Sequence, residues 1–314
     1  MSDPKGPILV TGANGQLGRR LIRRLSREAP PRPRQAVRAL VRSQRAARSI
    51  EALCRETGAD LAIVDYADAA ALTRAAAGGD AIVHLVGILK ETSVNRYVDA
   101  HERASEAIAA AADAAGLRRI VALSILGSHP EAGNACLASK GRTEEILLLA
   151  KTPAVVIRVP MVIGSGDPAS QALVRQATAG RTTLVRGGAT REQPIAADDV
   201  VEAIAAALAR SDLDDVALDL AGPESLSHRE LVARAAAVLG REVSFRSVPL
   251  ALVRAFAFFA ETLLSEPPLT RAMLGVLEHD DDIDPTPACR ALGIALTPLD
   301  EALRRGLAEA EAEA

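Results

Sequence analysis

Residues 8–18 read ILVTGANGQLG, a short apolar run followed at once by three glycines at equal spacing. Gly12, Gly15 and Gly18 stand where a backbone must turn sharply, come close to a pyrophosphate and pack a helix against a strand. The N-terminus of such a helix supplies N–H donors and a positive dipole end. The residues that follow place their apolar side chains at helical spacing: Leu17, Leu21, Ile22 and Leu25. The stretch therefore predicts a strand, a phosphate-binding turn and a helix.

Short apolar runs alternate with alanine-rich stretches through the first half of the chain. The predicted strands cover residues 7–11, 36–42, 61–64, 81–86, 119–124 and 155–159. Strands that are apolar along their whole length are typical of a parallel sheet covered by helices on both faces. The sequence therefore predicts an α/β fold, a doubly wound parallel Rossmann sheet.

The regular alternation ends near residue 160. Residues 1–160 are predicted to form the nucleotide-binding domain and residues 161–314 a small C-terminal α/β substrate lobe. Elements at about 190–220 are expected to return to the main sheet, with a short strand at 215–219. Helices are predicted at 169–179, from a cap at Asp198 or Asp199 to Arg210, from a cap at Ser227 to Leu239, near 248–265 and near 268–279.

The composition excludes several classes of protein. With 49% hydrophobic and 25% charged residues in 314, the chain is typical of a globular protein. It has no Trp, two Tyr, four Phe and a net charge of -3, which argues against nucleic-acid binding. Three cysteines without paired spacing and histidines without neighbouring ligands predict neither a disulfide framework nor a metal site. A first strand close to Met1 leaves no room for a secretory signal, so a cytoplasmic location is expected.

The most apolar stretch of the chain lies at residues 248–264. It is interrupted by Arg254 and Glu261 and is shorter than the ~20 residues of a spanning helix, so no membrane span is predicted. We expect it to pack inside the second lobe. Peripheral contact with a membrane surface or an apolar substrate remains the alternative, for which Arg254 is the available cation.

The end of the second predicted strand indicates the cofactor. An NAD-binding fold places Asp or Glu there to hold the ribose 2′-hydroxyl, whereas this strand ends in Arg42 and Ser43. A guanidinium and a hydroxyl can both donate to a 2′-phosphate. NADP(H) is therefore favoured over NAD(H), the alternative being that Arg42 is an ordinary solvated charge.

The glycine spacing after Thr11 resembles the fingerprint of extended and atypical short-chain dehydrogenase/reductases. Further motifs resemble one branch, that of the NAD(P)H-binding accessory subunit of respiratory complex I and its bacterial relatives. They lie at residues 84–91, 123–127, 139–140, 157–160, 191–195 and 269–271. The likeness spans nearly the whole chain, and it is specific because unrelated Rossmann proteins share only the first motif.

This resemblance implies a set of cofactor-binding residues. They are Thr11, Gly12, Asn14, Gly15, Gln16, Leu17, Gly18, Arg42, Ser43, Asp65, Val86, Gly87, Lys140 and Pro160. Asp65 matches the family position that holds the adenine amino group. Its alternative role is a helix cap, for which Asp68 is better placed.

The resemblance also implies a catalytic pair, Tyr-x-x-x-Lys, together with a Ser or Thr at the end of the fifth strand. Lys140 and Ser124 are present, but the Tyr position is Cys136. Spacing of i, i+4 puts the pair on one helical face, where the phenol exchanges a proton with substrate. A thiol lacks the length of a phenol, so Cys136 is interpreted as a small space-filling residue and Lys140 as a ligand of the nicotinamide ribose.

Three functions remain open at this stage. The first is an NADP(H)-bound accessory or assembly protein, or one linked to quinone biosynthesis, with a protein-complex partner. The second is an active NAD(P)-dependent oxidoreductase or epimerase/dehydratase on a small, quinone-like or lipid-like ligand. The third is a regulator that senses the NADPH level. The missing Tyr favours the first.

Overall fold

The computed structural model describes residues 6–27, 34–92, 95–264 and 267–312. Its strands are β1 Ile8–Thr11, β2 Val37–Val41, β3 Asp60–Ile63, β4 Ala81–His84, β5 Arg119–Ile125, β6 Ala154–Val159, β7 Val162–Ile163, β8 Arg181–Val185, β9 Arg191–Glu192, β10 Ile195–Ala196, β11 Val216–Asp219, β12 Leu226–Ser227 and β13 Ser244–Val248. Seven of them form one parallel sheet in the order β11-β6-β5-β4-β1-β2-β3. The order reverses beside β1, which is where a doubly wound sheet opens a crevice for a ligand.

Helices cover both faces of this sheet. They are α1 Gln16–Ser26, α2 Gln44–Thr57, α3 Ala69–Ala76, α4 Ala104–Ala115, α5 Ala135–Leu148, α6 Pro168–Thr178, α7 Ala197–Ala209, α8 His228–Val238, α9 Leu250–Leu263, α10 Arg271–Leu277, α11 Thr286–Leu292 and α12 Leu299–Ala312. A π-helical turn at Val98–Arg103 leads directly into α4.

The apolar strands are buried because each one supplies two separate cores. In β1, Ile8 and Val10 belong to the core under α1 and α7, whereas Leu9 belongs to the core under α3 and α4. Successive side chains of a strand point to opposite faces, so a strand covered on both sides has no polar face. The predicted doubly wound sheet is confirmed, and every predicted strand is present with small shifts at its ends.

The returning strand and two predicted caps can also be compared with the structure. Strand β11 pairs with β6 in the main sheet, as expected for the region near 215–219. Ser227 caps α8 in a capping box with Glu230, which agrees with the sequence. The cap predicted for α7 is wrong: its N-cap is Ala196, and Asp198 and Asp199 lie in the first turn. Asp199 instead accepts hydrogen bonds from the Thr297 backbone and hydroxyl, both at 2.7 Å.

The remaining strands form three small two-stranded sheets, β7 with β10, β9 with β12 and β8 with β13. Beside them α6, α8 and α12 enclose a third apolar cluster built around Leu173, Leu231 and Leu303. The division into domains at residue 160 stays a prediction.

Helix α9 contradicts the expectation that residues 248–264 pack inside this lobe. It buries Ala257 and Ala260, while Phe256 and Phe259 are 57% and 60% exposed. Its buried positions are small residues, so the helix contributes no large buried side chain to the core of the lobe. No helix in the described ranges is long and apolar enough to cross a membrane.

Candidate functional site

The glycine turn joins β1 to α1 at the crevice edge of the sheet. Gly12 has a φ of +68°, and the N–H of Gly15 donates to the Gly12 carbonyl at 2.9 Å. Gly15 is the N-cap of α1, and no side chain caps this helix. The first N–H groups of α1 are therefore directed away from the helix without a capping acceptor, as an anion-binding site requires.

Gly15 and Gly18 serve different purposes in this turn. A Cβ on Gly18 would lie 2.5 Å from the Gly12 oxygen and 2.8 Å from Ala13 Cα, so Gly18 allows the helix to pack on the turn. A Cβ on Gly15 would meet only the Gly12 oxygen, at 3.2 Å. Gly15 thus borders the open side of the turn, where a pyrophosphate would approach the helix N-terminus.

Tyr66 connects the glycine turn to β2 through hydrogen bonds, a role that the sequence analysis did not predict. Its buried hydroxyl accepts the N–H of Gly12 at 3.0 Å and donates to the Leu40 carbonyl at 2.6 Å. Burial raises the pKa of Tyr66 to about 12, so the hydroxyl keeps its proton. The available signal was that the chain has only two tyrosines and that this one directly follows Asp65.

Asp65 itself has an exposed side chain whose carboxylate accepts the N–H of Ala67 at 3.0 Å. Asp68 caps α3 by accepting the N–H of Ala71, as the sequence suggested. The adenine-binding role of Asp65 stays a prediction, since this local turn leaves part of its carboxylate available.

A cavity of about 290 Å³ brings together much of the predicted cofactor set. Its lining residues are Gly12, Asn14, Gly15, Arg42, Ser43, Ala46, Tyr66, Leu85, Val86 and Gly87. Arg42 is exposed at its rim, with its guanidinium 3.5 Å from the Asn95 side-chain oxygen, and Ser43 caps α2. An uncapped helix N-terminus, an exposed cation and an apolar wall from the residues after β4 fit a dinucleotide with a negatively charged pyrophosphate.

Some predicted residues lie outside the lining of this cavity: Thr11, Gln16, Leu17, Gly18, Asp65, Lys140 and Pro160. Thr11 is buried, and its hydroxyl lies 2.9 Å from His84 Nδ1. Leu17 packs against the core beneath α1. The side chain of Gln16 lies against Gly166, where a Cβ would be 2.2 Å from its amide nitrogen.

Lys140 lies at the other end of the crevice. It is 4% exposed, and its ammonium donates to the Leu123 carbonyl at 3.1 Å and to the Val86 carbonyl at 3.4 Å. Burial lowers its pKa to about 8. A Cβ on Gly87 would lie 3.1 Å from the Lys140 nitrogen, so the glycine leaves room for the ammonium.

Cys136 is fully buried in the first turn of α5. Its N–H donates to Asn134, the cap of this helix, and its thiol lies 3.6 Å from the Ile88 carbonyl. Burial raises the pKa of the thiol, which therefore stays protonated at neutral pH. A reactive cysteine needs an accessible and electropositive setting, and this buried thiol lacks the accessibility.

Tyr97 occupies the space next to Cys136, which sequence reasoning also missed. Its hydroxyl donates to the Leu89 carbonyl at 2.8 Å, and Tyr97 and Cys136 are close enough for each to influence the pKa of the other. Its ring stacks on His101, with ring centres 5.4 Å apart, and His101 Nε2 accepts the N–H of Ile88. Tyr97 directly precedes the π-helical turn, a kind of helix that is frequent at functional sites. The α5 position thus has no phenol, while a phenol from another element lies beside it.

Two buried polar atoms near the carboxyl ends of central strands have no hydrogen-bond partner among the described residues. They are Ser124 Oγ, at the end of β5, and His84 Nε2, in β4. Burial lowers the pKa of His84 to about 3, so its ring is neutral. Ser105, Ser128 and Thr143 also have buried hydroxyls without a partner among the described residues, so what distinguishes Ser124 is its position at the crevice end of β5.

A glycine turn that opens a helix N-terminus at the switch point of a parallel sheet defines a Rossmann-type dinucleotide-binding protein. The model of the NAD dependent epimerase/dehydratase family matches residues 8–217. The chain belongs to this family, whose members bind NAD(P).

Three characterised relatives are similar to the chain. A (4-alkanoyl-5-oxo-2,5-dihydrofuran-3-yl)methyl phosphate reductase of Streptomyces griseus is 30% identical over 87% of this chain and 86% of its own length. A ceramide reductase of Caulobacter vibrioides is 27% identical over 79% of this chain and 75% of its own. Subunit 9 of the NADH dehydrogenase [ubiquinone] 1 alpha subcomplex of Arabidopsis thaliana is 28% identical over 71% of this chain and 55% of its own. The predicted resemblance to the complex I accessory subunit is confirmed. The chain is also similar to two reductases.

Solved structures share the fold over nearly the full length. A Citrobacter triphenylmethane reductase complexed with NADP(H) superposes with a TM-score of 0.72 at 19% identity, covering 96% of this chain and 100% of the other. The Escherichia coli quinone oxidoreductase QOR2 with NADPH gives 0.69 at 21% identity, covering 94% and 98%. At these identities the likeness concerns the fold.

Proposed function

We propose that the chain binds NADP(H) in the crevice beside β1 and uses the bound dinucleotide in an accessory or assembly role with a protein partner. The glycine turn and the N-terminus of α1 would hold the pyrophosphate. Arg42 and Ser43, at the end of β2, would hold the 2′-phosphate. NADPH supplies a hydride when it is bound, and a reduction would also need a proton donor from the protein.

The observation that carries this proposal is that both tyrosine hydroxyls of the chain are already engaged. Tyr66 donates to the Leu40 carbonyl and Tyr97 to the Leu89 carbonyl, while Cys136 stands at the family's Tyr position. The ammonium of Lys140 is likewise directed at backbone carbonyls. Loss of a positioned general acid lowers a rate by about 10²–10⁴-fold, so binding can persist where turnover does not.

A second candidate is a reductase that acts on a substrate with an apolar chain. The unpartnered hydroxyl of Ser124 favours it, because this group could hydrogen-bond a substrate oxygen near Lys140. Two relatives are named as reductases, one of ceramide and one of an alkanoyl furanyl phosphate. In this candidate the proton would come from a group other than Cys136.

Calorimetric titration with NADPH and NADH, followed by NADPH oxidation with a panel of quinones and long-chain carbonyl compounds, separates the two candidates. We expect NADPH to bind about tenfold or more tightly than NADH, because a charge-assisted pair to the 2′-phosphate has no counterpart in NADH. We expect no oxidation above the rate without protein. Equal affinities would contradict the assignment of Arg42, and sustained turnover would favour the reductase.

A further inference from the structure

Helix α9 buries small residues and exposes large apolar ones, which is the reverse of an ordinary surface helix. Its buried positions are the small residues Ala257 and Ala260. Its large apolar side chains are exposed, from 48% for Phe258 to 79% for Leu263. A surface helix normally buries its large apolar side chains against the core. Large exposed apolar patches on proteins mark interaction sites.

The exposed side chains form a continuous surface. Leu252, Phe256, Phe259 and Leu263 follow one another at steps of four, three and four residues, which places them on one side of the helix. Phe258 lies next to Phe259 with the two rings edge to face. We call these five residues the apolar face. From Leu252 to Leu263 it extends for about 17 Å along the helix.

The side chains of the apolar face have no hydrogen-bonding groups, and the polar side chains of Glu261 and Thr262 beside it are already hydrogen-bonded within the protein. The hydroxyl of Thr262, next to it, donates to the Phe258 carbonyl of the same helix at 2.6 Å. The carboxylate of Glu261 is held by the backbone and side chain of Arg271. Interfaces between proteins carry about one hydrogen bond per 100–200 Å², whereas the apolar part of a bilayer requires none.

The charges around the apolar face suit an anionic surface. Arg271 is ion-paired with Glu261, whereas Arg246 and Arg254 have no ion pair among the described residues. Arg246 and Arg254 are exposed. Apolar residues flanked by arginines are typical of helices that lie in the interface of an anionic membrane.

The residues that follow α9 are hydrogen-bonded to the loop after β4 and to the cap of α5. Lys90 donates to the Pro267 carbonyl at 3.0 Å, just after α9, and Asn134 donates to the Ala272 carbonyl at 2.8 Å, in α10. Asn134 is also the cap of α5, the helix that carries Cys136 and Lys140.

We propose that the apolar face docks the protein on the surface of a lipid bilayer with anionic headgroups, with α9 parallel to the membrane plane. The phenylalanine and leucine side chains enter the boundary between headgroups and acyl chains. Arg246 and Arg254 remain at the level of the lipid phosphates. The docking does not depend on the role of the cofactor and holds for either candidate function.

Vesicle flotation of the full chain tests this proposal. We expect the protein to float with vesicles of phosphatidylcholine and phosphatidylglycerol, and less with phosphatidylcholine alone. Phe256→Ser combined with Phe259→Ser should weaken partitioning at least tenfold, because two large apolar side chains no longer enter the lipid. The matched control is Leu149→Ser, at an 85% exposed leucine after α5, which should float like the unchanged protein. Arg254→Gln should reduce the preference for phosphatidylglycerol.

Thermal unfolding and light scattering of the same variants complete the test. All of these side chains are exposed, so unfolding temperatures should stay close to that of the unchanged protein. Absence of flotation, or equal flotation of the double variant, would overturn the proposal. A dimer that the double variant disperses, without any vesicle binding, would identify the apolar face as a contact between copies of this chain.

Discussion

One end of the crevice is formed mainly by backbone atoms and the other by side chains. The phosphate-binding end consists of backbone: the left-handed Gly12, the closely packed Gly18 and the uncapped N–H groups of α1. The reactive end consists of side chains: Cys136, with the Tyr97 phenol beside it, and Lys140. A backbone site tolerates changes in most neighbouring side chains, whereas a side-chain site can be altered by a single residue. Binding and catalysis can therefore separate within one fold.

The largest effect on cofactor binding is expected at Gly15, in the phosphate-binding end. We expect Gly15→Val to lower dinucleotide affinity roughly a hundredfold or more, because a branched side chain would fill the space that the pyrophosphate needs beside the helix. Calorimetric titration measures the loss. The fold should persist, since a Cβ at this position meets only the Gly12 oxygen.

Gly133→Val is the matched control for this change. Gly133 lies in the loop before α5, and a Cβ there meets nothing within 4 Å. This variant should bind cofactor like the unchanged protein. If Gly15→Val also bound normally, the turn would have only a structural role.

A smaller effect is expected at Arg42, on the rim of the same end. Arg42→Ala should remove most of the preference for NADPH, about 30-fold, since hydrogen bonds to charged groups contribute ~1.5–3 kcal/mol. NADH affinity should hardly change. Parallel titrations of both cofactors measure this, with Arg48→Ala, an exposed arginine one turn into α2, as the control. A preference that survives in Arg42→Ala would assign the 2′-phosphate to another group.

The reactive end can be tested by restoring the family phenol. Cys136→Tyr should destabilise the protein by about 1–3 kcal/mol, because the enlarged side chain would meet Tyr97 in a fully buried space. The same change should cost less in a Tyr97→Ala background, where that space is free. Urea unfolding of the four proteins gives the coupling energy. Equal costs in both backgrounds would mean that the two side chains do not compete for space.

The smallest effect concerns the charge of Lys140. Its folded pKa of about 8 lies below the ordinary value of about 10.4, so between these pH values the unfolded chain binds more protons than the folded one. The free energy of unfolding should therefore rise with pH in this window, by roughly 1 kcal/mol per pH unit from this group. Lys140→Met should lack this contribution, which a comparison of unfolding between pH 7.5 and 10 would detect. Parallel curves would contradict it.

The phosphate-binding end could be predicted from sequence because its signal is local. Strand, glycines and helix are consecutive in residues 8–26, and backbone geometry follows from such short-range patterns. The end of β2 at Arg42 was predictable for the same reason. The reactive end was not: Tyr97 reaches Cys136 from 39 positions earlier in the chain, and only the packing of the π-helical turn on α5 brings them together.

Helix α9 illustrates a different limit of sequence reasoning. Its bounds were predicted closely, but its orientation was wrong, because an apolar helix is expected to bury its large side chains. Which face is buried depends on the surface that receives the helix. Here that surface accommodates Ala257 and Ala260, so the phenylalanines point outward.

Two hydrogen bonds of the Tyr66 hydroxyl hold the glycine turn in position against β2. Because it accepts the Gly12 N–H and donates to the Leu40 carbonyl, it ties the turn to β2 through one rigid ring before any ligand arrives. Less conformational entropy is then lost when a dinucleotide binds, since the turn already has its bound shape. The same bond uses the Gly12 N–H, so a pyrophosphate would draw its hydrogen bonds from the amides of α1. The depth at which a dinucleotide lies in the crevice would thus depend on the Tyr66 phenol, which also lines the cavity.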